Sequence, residues 1–178
     1  MAVKTSIQLR HSRSTQGLTA IETVLLLFII FVLGAIALPN LISAQDKSRE
    51  AAVKANMRTA QIAAESYATD HGGIYPDGPS DAGFISYLPG GNPMAGKAGA
   101  EPVNPYTNHV EPITKGAVTN VGVARLASPE ALEREGQVEY SVITDSCGVK
   151  SSYAIRGTGA AKKTLAGIGG GTFVLSRQ

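Results

Sequence analysis

Apolar residues follow three different rhythms along the chain. From Leu18 to Leu38 (LTAIETVLLLFIIFVLGAIAL) they run almost without interruption for 21 residues. As a helix that run measures roughly 31 Å, close to the hydrocarbon thickness of a bilayer, so the pattern predicts a helix able to span a membrane. From Asn40 to about Thr69 the chain is alanine-rich, lacks glycine and proline, and places Val53, Met57, Ala60, Ala64 and Tyr67 at steps of four and three. These positions share one helical face. Lys47, Arg49, Glu50, Lys54, Arg58 and Glu65 interleave with them, as in a helix half covered by a globular head. His71-Gly72-Gly73 supplies the stop.

Beyond Ile74 turn signals dominate: Tyr75-Pro76-Asp77-Gly78, Leu88-Pro89-Gly90-Gly91, Asn92-Pro93 and Asn104-Pro105-Tyr106. Ser128 to Arg134 predicts one or two helical turns, with Ser128 capping and Pro129 at the first helical position. Partial alternation predicts strands over 137–144 and 151–156, and Phe173-Val174 marks a third over 171–175. The expected fold class is α+β. An apolar helix over 18–39 continues as an amphipathic helix over 40–71, and a head over 72–178 packs a small antiparallel sheet with long loops on it.

Charge adds topology. The net charge of +2 includes Lys4, Arg10 and Arg13, which precede Gly17 in a stretch with no acidic residue. Without them 13 basic residues (16 minus 3) face 14 acidic ones, so the remainder offers no electrostatic case for binding nucleic acid. The basic stretch instead keeps the N-terminus cytoplasmic and places everything after Asn40 outside. An ordinary secretory signal cut near Ala35-Ile36-Ala37 is the competing reading. Against it stands Glu22, five positions into the run: an unpaired carboxylate costs about 2.5 kcal/mol or more at a bilayer centre, less near the interface. Either Glu22 is interfacial or it has a partner.

Gly17-Leu18-Thr19-Ala20-Ile21-Glu22, the apolar run and then Pro39 together resemble the N-terminus of type IV pilins and type II secretion pseudopilins, the prepilins with class III signal sequences. The resemblance covers about 55 residues. It implies that residues 1–17 are a leader, that a prepilin peptidase cuts between Gly17 and Leu18, and that the new amino group of Leu18 is methylated. It further implies that Glu22, then the fifth residue, pairs with the N-terminal amine of a neighbouring Leu18, which supplies the partner that desolvation demands. Gly34 and Pro39 correspond to the helix-bending region of the family, and both weaken a helix on physical grounds. Three features depart from the commonest pattern: Leu18 stands where Phe is usual, Thr19-Ala20 where Thr-Leu is commoner, and the leader is long. Gly72-Gly73-Ile74-Tyr75-Pro76 and Asn104-Pro105-Tyr106 also resemble loop phrases of major pseudopilins, but no spaced acidic set accompanies them to hold calcium.

Other motifs argue against chemistry. Gly157-Thr158-Gly159-Ala160-Ala161-Lys162-Lys163-Thr164 approaches a phosphate-binding loop, yet Lys162 takes the place of the second required glycine. His11 lies in the leader, and neither His71 nor His109 has metal spacing or a neighbouring nucleophile signature. Cys147 has no intramolecular disulfide partner and reads as a small buried residue, or as part of a turn between strands. The chain is therefore expected not to be an enzyme and to need no cofactor or metal. It is expected to be a pilin. Its implied partners are further copies of itself in a helical filament, the prepilin peptidase, an inner-membrane platform protein and a cytoplasmic motor ATPase. Its implied location is the inner membrane before assembly, and a pilus at the cell surface, or the periplasm, afterwards. A major pseudopilin of type II secretion and a single-pass membrane-anchored binding module are the alternatives.

Overall fold

A computed structural model describes residues 17–177. It is an α+β structure of two compact units, one running to Leu41 and the other beginning at Ile42. The expected leader, with Lys4, Arg10, His11 and Arg13, lies outside the described residues apart from Gly17.

Helix α1 spans Ala20–Asp70, 51 residues, and its two parts belong to different units. In the first unit α1 is helix alone, and its apolar side chains from Leu18 to Leu41 are exposed on every side. Helical structure continues through Gly34 and Pro39. Proline lacks the N–H that would reach the carbonyl of Ala35, and the next side chain, Asn40, donates to the Ile36 carbonyl at 3.3 Å.

In the second unit the predicted apolar face of α1 becomes core. Val53, Met57, Ala60, Ala63, Ala64 and Ala68 are buried, while Tyr67 is half-buried. Gly73 ends the helix, its N–H donating to the Ala68 carbonyl at 2.7 Å with φ at +87°. The head continues with α2 (Ala82–Ser86), a 3₁₀ turn at Pro93–Ala95, β1 (Thr114–Lys115), α3 (Val121–Leu126), β2 (Val138–Thr144), β3 (Lys150–Gly157) and β4 (Val174–Ser176). Sheet order is β1-β2-β3-β4.

Strands β2, β3 and β4 form the expected antiparallel meander, with Tyr140 opposite Ile155 and Ile155 opposite Leu175. Strand β1 makes the sheet mixed: it pairs parallel to β2, Thr114 opposite Glu139. The intervening residues 116–137 are long enough for the crossover that a parallel pair needs. The helical turns expected at 128–134 do not form, and Ala131 there bridges to Lys163. Helix forms earlier instead, at α3, where the Asn120 side chain accepts from the Val123 N–H at 3.1 Å.

Side chains alternate across the sheet as the pleat requires. Val138, Tyr140, Tyr153 and Ile155 face α1, together with Phe84, Leu88 and Tyr75. On the outer face Val118, Ala154 and Val174 form a smaller cluster under Val121 and Ala124 of α3. Gly157 sets how closely helix and sheet approach: a Cβ there would lie 2.7 Å from Val53 Cγ1 and 2.8 Å from Met57 Sδ.

Candidate functional site

The N-terminal residues that carry the resemblance lie together at the start of α1. Gly17 and Leu18 precede the helix, and both are exposed. Thr19 is its first-turn cap. The Thr19 N–H and hydroxyl donate to Glu22 Oε2 at 3.0 and 2.9 Å, and the Glu22 N–H returns a bond to Thr19 Oγ1 at 3.4 Å. This is a capping box, two orphan groups at a helix start satisfied reciprocally. Its sequence signal is Thr-x-x-Glu ahead of an apolar run, Thr19 to Glu22. The carboxylate has an internal partner in its own chain. Both Thr19 donors use Oε2, so Oε1 remains able to accept from a further donor.

Past Glu22, α1 carries no charge until Asp46. Leu25, Leu26, Phe28, Ile29, Ile30, Phe31 and Leu33 are each at least half exposed, and the most apolar stretch is 0% buried. This is one helix long and apolar enough to cross a membrane. Leu18, Glu22, Leu25, Leu26, Ile29 and Ile30 line one shallow groove along it.

Within the head, polar clusters fasten the core. Glu65 on α1 accepts from the Tyr153 hydroxyl at 2.6 Å and the Tyr75 hydroxyl at 3.0 Å, and Gln61 donates to the Tyr153 oxygen at 3.1 Å. Burial, then the bond to Glu65, pushes the Tyr75 phenol up to about 12 and raises that of Tyr153 as well. On the outer face Arg156 donates to Glu139 at 2.6 Å and pairs with Glu130. Burial pulls Arg156 down, but these two carboxylates outweigh it and hold its pKa above the ordinary value. Periodicity could not reveal either cluster, since both join residues far apart in the chain.

The remaining motifs have structural explanations. In the glycine-rich loop Ala161 and Lys162 adopt φ of +57° and +60°, and the Ala161 N–H is taken by Glu135 Oε1 at 2.8 Å, so the chain's own carboxylate sits where an anion would bind. His71 stacks on Tyr67 at 3.8 Å and its Nδ1 meets the Tyr67 carbonyl at 2.8 Å. Among the described residues no group of three or more His, Cys, Asp or Glu side chains could hold a metal ion. Cys147 is exposed, not buried: it lies in the β2–β3 turn, where Asp145 Oδ1 accepts its N–H at 2.9 Å and points the segment outward. The Asn104 side chain donates to Glu111 at 2.9 Å and to the Glu135 carbonyl at 2.7 Å, so Asn104-Pro105-Tyr106 is a structural corner fixed by a buried asparagine.

Compared with known protein families, with curated proteins and with solved structures, the chain matches none. What the fold defines is an N-terminal apolar helix able to cross a membrane, followed by a small mixed sheet, an arrangement compatible with pilin-like architecture.

Proposed function

We propose that this chain is the precursor of a pilin, a subunit that waits in the inner membrane and polymerises through its N-terminal helix into a type IV pilus. The observation that carries the reading is the apolar stretch of α1, exposed on all sides as far as Leu41 and carrying a single charge, Glu22, near its start. Each large apolar side chain left in water forfeits about 1.5–3 kcal/mol, so such a helix must be buried in lipid or among like helices. The unit that begins at Ile42 has a core of its own, to which the second part of α1 contributes Val53, Met57 and Ala60.

Processing after Gly17 would make Leu18 the N-terminus and Glu22 the fifth residue. Glu22 Oε1 would then accept from the methylated amine of Leu18 in a neighbouring subunit while Thr19 keeps Oε2. A charge pair formed on leaving lipid would fix the axial position of each new subunit, because misplacement leaves both charges desolvated and unpaired. Gly34 and Pro39 lower the cost of opening a turn as helices pack. The head would face outward.

Co-production with a prepilin peptidase, platform protein and motor ATPase tests this. The chain should be shortened and appear in sheared surface filaments, and Glu22→Ala should be cut normally yet remain in the membrane. Filaments confined to the periplasm would instead favour the pseudopilus alternative. A Glu22→Ala chain that polymerises like the parent would remove the assigned role of the carboxylate.

A further inference from the structure

We draw no further inference here: the strongest candidate, the groove of about 480 Å³ on the sheet's outer face between Lys115 and Leu132, carries nothing, because Arg156 and Glu139 in its lining pair with each other and nothing in the structure shows what would occupy it.

Discussion

Single residues decide two close approaches in the head. Gly157→Ala would push a methyl into Val53 and Met57, and overpacking of this kind costs about 1–3 kcal/mol. Chemical denaturation of the full chain in detergent should show that loss, whereas an unchanged midpoint would mean the helix can shift freely. Arg156→Met should be more damaging, about 3–5 kcal/mol, because it strands Glu139, whose side chain is only 11% exposed. Adding Glu139→Gln to Arg156→Met should recover much of that loss. If the double variant is no better than the single, the pair is not what holds this face. At the N-terminus, Thr19→Ala removes one side of the capping box, worth about 1 kcal/mol locally. Faster amide exchange confined to residues 20–23 in micelles is the expected signature.

At the scale of elements, α1 and the sheet are joined through buried phenols, and this makes stability sensitive to alkali. Burial raises Tyr140 and, with Glu65 adding to it, Tyr153 and Tyr75, the last to about 12. An unfolded chain loses these protons near pH 10. Below that pH both states are protonated and the phenols leave stability unchanged. Above it the unfolded state binds fewer protons than the folded one, so stability falls with rising pH until the folded phenols titrate in turn. Denaturation midpoints should hold steady to about pH 9 and drop by about pH 11, with a shallower drop in Tyr75→Phe. A flat profile through that range would place these hydroxyls in water.

The elements differ in how readily the chain discloses them. Helix α1 and the meander were legible because their apolar periods, 3.6 and 2, persist over many residues and end at glycines. Strand β1 was hidden because two residues between Ile113 and Gly116 carry no measurable period, and their pairing partner lies beyond a long crossover. Ser128-Pro129 has the residues of a helix start, but the Leu132 N–H donates to the Lys162 carbonyl and the Glu130 carbonyl accepts from the Thr164 N–H of the glycine-rich loop, and that tertiary pairing prevails over local propensity. At the N-terminus Gly17, Leu18 and Glu22 are singled out by the resemblance, and their roles belong to the proposed function. The Thr-x-x-Glu spacing of Thr19 and Glu22 signals their bonds too, and those bonds leave the carboxylate partly satisfied before any neighbour arrives.

For the molecule as a whole, the physical basis of the proposed role is that the unit from Ile42 onward buries a core of its own while the apolar stretch of α1 before it is exposed. An anchored binding module would share that division, and so would the precursor of a chain cut near Ala37, which loses only the apolar stretch of α1. What distinguishes a filament subunit is its first residue. Intact mass and N-terminal fragmentation of the protein recovered from membranes therefore bear most directly on the account. A chain beginning at N-methylated Leu18 is the predicted result; an uncut chain, or one beginning after Ala37, would contradict it.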